Sequence, residues 1–162
     1  MVNKYYIIDT NVFVAANGGT DQLSEDDINR CKSFVALLFS KTIISIDAKS
    51  EIFSEYFRYM NRSGQPGIGD AYVKYLWDRQ CDKTVCELVD ISKNKNGVYK
   101  QLKGKEDLIC FDPNDLKFIA VYLGSKFNTT ICNASDRDWE ENKSLLAKYN
   151  INVLEVLQEP TP

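Results

Sequence analysis

Asp9 closes the apolar run Tyr5-Tyr6-Ile7-Ile8 and is followed at once by Thr10 and Asn11. A carboxylate, a hydroxyl and a carboxamide thus appear together where a buried strand would end. Three further acids, Glu55, Asp115 and Asp136, fall near the ends of other predicted strands or the starts of helices. The chain contains no histidine, so it has no imidazole base, no His-type metal site and no Ser-His-Asp triad. Hydrolytic chemistry would have to run on carboxylates and a hard cation. All-oxygen ligation suits Mg²⁺ or Mn²⁺.

Each acid also has a plainer reading. A strand-end Asp before Thr-Asn can be a turn or a helix cap, because such side chains bond nearby backbone N–H groups. Glu55 shares a helical stretch with Lys49, Glu51, Arg58 and Arg62, which a solvated charged face explains. Asp112-Pro113 looks like an N-cap followed by proline at the first helical position. That leaves Asp115, beside the apolar Phe118-Ile119-Ala120, as the preferred ligand. Asp136 is nearer than Asp138 to the end of the preceding strand and is preferred for the same role, with Asp138 in support. Ser135 to Asp138 could equally open the last helix as a capping box.

The elements that must position these residues follow from hydrophobic periodicity. Buried strands are predicted at 4–9, 42–47, 129–133 and 151–157, with a weaker one from Val85 to Ile91. Helices are predicted at 24–40 (N-cap Ser24), 48–60, 70–80 (N-cap Asp70), 113–125 and 137–149. Strands alternating with helices imply an α/β fold with a mainly parallel sheet of about four or five strands, flanked by helices. Open parallel sheets bind ligands outside the carboxyl ends of their strands. If the Asp9 and Thr129 strands are both central, Asp9 and Asp136 lie at one edge, and Glu55 and Asp115 can join them.

The length of 162 residues suggests one domain, 1–162, with about 70% of the unfolded chain's surface buried on folding. No apolar run approaches the ~20 residues of a membrane helix, and no signal-peptide pattern opens the chain; a cytoplasmic protein is expected. Its five cysteines, Cys31, Cys81, Cys86, Cys110 and Cys132, lack a second pair that would complete a zinc site with Cys81 and Cys86. They are expected to be reduced and to serve as small core hydrophobes.

The net charge of −3 gives no global attraction for nucleic acid. The segment 92–105, however, carries Lys93, Lys95, Lys100, Lys103 and Lys105 and no acid. Such a stripe can contact RNA phosphates or be a solvated loop. Between two predicted helices, Gly64, Gly67 and Gly69 surround Pro66. Their backbone N–H groups could hold a phosphate, although a tight helix–helix connection accounts for them better.

Taken in order, Ile8-Asp9-Thr10-Asn11-Val12, Glu55 in the helix after the second strand, Asp115-Leu-Lys-Phe-Ile-Ala and Ser135-Asp136-Arg137-Asp138 resemble the motifs of the PIN-domain nucleases. The resemblance spans nearly the whole chain. It implies a three-layer PIN-like fold and a Mg²⁺- or Mn²⁺-dependent endoribonuclease. Asp9, Glu55, Asp115 and Asp136 would be catalytic, with Asp9, Asp115 and Asp136 on the metal. Thr10 and Asn11 would position water or phosphate. Partners implied are an RNA substrate and either an antitoxin, another protein or a second copy, since PIN domains are often toxins. Many PIN domains place Thr two residues before the last acid, where this chain has Ala134. The contrasting function is a catalytically weak PIN-like module that binds RNA or protein. A HAD-like phosphohydrolase also begins with a strand-end Asp but wants a second acid two residues on, where this chain has Asn11.

Overall fold

A computed structural model describes residues 3–158. Five strands form one sheet in the order β3-β2-β1-β4-β5, and every pairing is parallel. The strands are β1 (Lys4–Ile8), β2 (Thr42–Asp47), β3 (Cys86–Val89), β4 (Thr129–Asn133) and β5 (Val153–Glu155). The helices are α1 (Thr10–Ala16), α2 (Glu25–Leu38), α3 (Glu51–Tyr59), α4 (Ile68–Asp78), α5 (Leu116–Gly124), α6 (Arg137–Glu141) and α7 (Lys143–Lys148). The fold is therefore α/β with a parallel sheet between helices. No helix among the described residues is long and apolar enough to cross a membrane.

β1 is central, pairing Tyr5 with Ile43 of β2 and with Thr129 of β4. Its Ile7 and Ile8 are both fully buried although they point to opposite faces, as in parallel strands covered on both sides. From β1 the chain builds outward through β2 and β3, then crosses to the other side of β1 to lay down β4 and β5. The β1–β4 pair is thus the topological switch point, the crevice where doubly wound sheets hold ligands.

Several boundaries differ from those expected. Helix α1 was not anticipated. Its Val12, Phe13, Ala15 and Ala16 are all buried, so it has no polar face to give a helical period. Helix α5 begins at Leu116 rather than Pro113, because Asp112 accepts from the Asn114 N–H at 2.8 Å and forms a turn there. The predicted helix 137–149 is two helices interrupted at Asn142. Ser24 does cap α2, accepting from the Asp27 N–H at 3.1 Å. Asp70 is not the cap of α4. It sits in the first turn and reaches back to the N–H groups of Gly67 (2.8 Å) and Asn61 (2.7 Å). The segment 23–40 divides its side chains: Val35 and Leu38 are buried, whereas Leu37 and Phe39 are exposed. All five cysteines are free; Cys31, Cys86 and Cys132 are buried, and Cys81 and Cys110 are exposed.

The glycine-rich loop joins α3 to α4 and seats α4 on the end of α1. The Gly69 N–H donates to Asn17 Oδ1 at 2.8 Å, and the Gly67 N–H is taken by Asp70. These donors are therefore committed within the protein and not free for a phosphate. A Cβ on Gly69 would come within 2.6 Å of the Phe13 carbonyl oxygen, a backbone atom that cannot swing aside. Gly69→Ala is expected to lower stability by roughly 1–3 kcal/mol through this overpacking, measured by denaturant unfolding.

Candidate metal centre

Asp9 stands one residue beyond β1 and caps α1, accepting from the Asn11 N–H with Oδ1 at 3.1 Å. Its Oδ2 accepts from the indole Nε1–H of Trp139 at 2.7 Å. Both oxygens of a buried carboxylate are thus oriented, one by its own turn and one from α6. Asp136 caps α6 and accepts from the Asp138 N–H with Oδ1 at 2.9 Å. Asp115 occupies the residue before α5 but makes no side-chain cap bond. Asp9, Asp115 and Asp136 each present a carboxylate oxygen within 4.8 Å of the others.

This crowding leaves an electrostatic mark. Burial, and then the neighbouring charges of Asp136 and Glu55, push Asp9 up to about 6 against the pull of its two hydrogen bonds. Burial and the charges of Asp9, Asp136 and Asp112 push Asp115 up to about 8, with Lys117 pulling the other way. Three close carboxylates in a buried setting favour neutralisation by protons or by a cation.

Glu55 approaches from α3 but is already engaged. The Thr10 hydroxyl donates to its Oε1, and the Lys117 ammonium pairs with its Oε2. It therefore stands beside the three-carboxylate group rather than within it. Thr10 and Asn11, expected to position water or phosphate, have internal partners instead. Asn11 donates through Nδ2 to Asn133 Oδ1 at 2.9 Å and accepts from the Ala134 N–H at 2.8 Å. It clasps the end of β1 to the end of β4, and so fixes the spacing of Asp9 from Asp136. Asp138 contributes a backbone N–H to Asp136, and Asp112 makes its own turn.

Three residues of the site were not anticipated. Trp139 is buried and orients Asp9; a lone indole in the acidic stretch 136–141 was the signal. Asn133 ends β4 and bonds Asn11, the Asp136 N–H at 3.1 Å and Glu155 at 2.7 Å. Lys117 is 7% exposed, and its signal was a cation inside an otherwise apolar run.

The basic segment is tied to α3, the helix that carries Glu55. It runs from β3 to α5, with Lys93 bridged to Tyr99 and a 3₁₀ turn at Lys100–Leu102. Lys93 lies 3.5 Å from Glu51, which also accepts from the Tyr99 hydroxyl. Glu51 is one helical turn before Glu55. Lys105 packs over the Tyr149 ring, while Lys95, Lys100 and Lys103 are exposed.

No family model, curated protein or solved structure matches this chain.

Proposed function

We propose that the chain is a divalent-cation-dependent endoribonuclease of PIN type, acting through Asp9, Asp115 and Asp136. The observation that carries this reading is the meeting of three carboxylates from separate segments at the β1–β4 switch point. Their donor set is all oxygen and suits Mg²⁺ or Mn²⁺. When bound, such an ion lowers the pKa of a coordinated water and offsets charge on the phosphate. The chain's own part is positional. Asn11 and Trp139 hold both oxygens of Asp9, the Asp138 N–H turns Asp136, and Thr10 and Lys117 restrain Glu55. Asp115, with its raised pKa, retains a proton near neutral pH without a cation, so proton and cation compete for the same oxygens.

Hydrolysis by water would leave 5′-phosphate and 3′-hydroxyl ends. Mixed RNA incubated with Mg²⁺ or Mn²⁺ should be cut to such ends, and EDTA should stop the reaction. Full cleavage in excess EDTA rejects the mechanism. RNA binding without cleavage under any of these cations supports the RNA-binding module instead.

The exposed lysines of the segment 92–105 support RNA as the substrate. Lys95, Lys100 and Lys103 have no ion pair among the described residues. Replacing all three with Gln should weaken binding of single-stranded RNA and reduce its log K–log salt slope by about 2. Lys93→Gln should change it less, because Glu51 already takes part of that charge. An unchanged slope returns the segment to a solvated surface.

A further inference from the structure

The three acids of the centre and the neighbouring Glu55 are not equivalent. Asp9, Asp115 and Asp136 converge within 4.8 Å, and Glu55 is paired away from them. Its partner is unusual: Lys117 is 7% exposed, and lysine is almost never so buried unless paired. The ammonium bonds the Glu55 carboxylate, donates to the Asn114 carbonyl oxygen and lies 5.0 Å from the Phe118 ring centroid. The Glu55 side chain is itself only 16% exposed, and Thr10 occupies its other oxygen. Lys117 lies two residues after Asp115 on the same helix start, so its charge is built into the wall between Glu55 and Asp115.

Two-ion phosphodiesterase sites place cations roughly 3.5–4 Å apart and need carboxylates on both sides. Here the carboxylate that would serve the second ion is neutralised by a resident ammonium. We propose that Lys117 is a fixed second cation: it takes up Glu55, repels a second divalent ion and restricts this centre to one. Lys117 and Glu55 are then positioning residues, and Asp9, Asp115 and Asp136 alone hold the metal. This inference rests on the nuclease reading above but concerns ion number, which is measured without substrate.

The test is Mn²⁺ titration of the full chain, counting free Mn²⁺ by electron paramagnetic resonance, with thermal melts on the same samples. The wild type should bind one Mn²⁺. Glu55→Gln should still bind one, with affinity changed by less than roughly tenfold, whereas Asp9→Asn should lose more than that. Lys117→Met frees Glu55 and should admit a second, weaker Mn²⁺. The double variant Glu55→Gln/Lys117→Met removes both charges and should return to one. Because Lys117→Met leaves a buried carboxylate unpaired and can fail to fold, Lys117→Gln, which keeps a hydrogen-bond donor toward Glu55 without the charge, is titrated beside it; one Mn²⁺ bound to a folded single Lys117 variant overturns the proposal. Two ions in the wild type, or a Glu55→Gln loss as large as that of Asp9→Asn, overturns the role of Lys117 while leaving a metal centre. A second ion persisting in the double variant also overturns it. No Mn²⁺ bound to the wild type overturns the metal centre itself, and this inference with it.

Discussion

Asp115→Asn should abolish cation-dependent RNA cleavage, by ~10³-fold or more, and yet raise the melting temperature in EDTA. Asp115 provides one of three converging carboxylates, and losing one ligand charge weakens the hold on a hard cation. Its side chain makes no cap bond, so the amide displaces no internal hydrogen bond. The amide also removes the cost of folding around a carboxyl that burial and the charges of Asp9, Asp136 and Asp112 oblige to take up a proton. Asp9→Asn should abolish cleavage equally but behave differently in the melt. Both Asp9 oxygens accept, one from the Asn11 N–H and one from Trp139. An amide can satisfy only one of them and sets its NH₂ against the other donor. That mismatch costs about 1–3 kcal/mol and offsets the corresponding gain. Cleavage rates and melts in EDTA on both variants check the pair. Retained cleavage in Asp115→Asn would remove Asp115 from the site.

The second large effect is an inverted pH dependence of stability. Asp9, near 6, and Asp115, near 8, hold protons more tightly in the folded chain than at their ordinary 3.8. Where the folded state binds more protons, stability falls as pH rises. Without cation, the contribution should be fully favourable below about pH 4 and lost progressively up to about pH 8. For Asp9 alone the change is about 3 kcal/mol, equivalent to a melting shift of roughly 6–12 °C. Saturating Mg²⁺ or Mn²⁺ should flatten the slope, because a cation binds the deprotonated carboxylates and releases the protons that only the metal-free folded state holds. Melts across pH 4–8 in EDTA and in excess Mn²⁺ measure both slopes. A flat profile in EDTA would mean that the three carboxylates are not packed together in the metal-free protein.

Local pattern alone identified much of this molecule. The apolar run before Asp9, the β-branched stretches at 42–47 and 129–133, and Ser24 before three acids each mark an element within a few residues. Asp9 and Asp136 stood out because a carboxylate after a buried strand is a local signal. Asp115 stood out because Asp112, before Pro113, reads as a helix cap, although the structure uses it for a turn. Sequence could not supply α1, whose seven residues are too few and too largely buried to show a period. Nor could it place Asn11, Trp139 and Lys117, whose partners lie far along the chain at Asn133, Asp9 and Glu55. Which strands pair, and on which side of β1, is decided by packing among distant segments. That choice brings Asp9 and Asp136 to one crevice, and it turns Lys117 from an odd cation in an apolar run into the partner of Glu55. Periodicity reports how one segment meets the core; the convergence of charges depends on where the sheet reverses its winding, which only the tertiary structure decides.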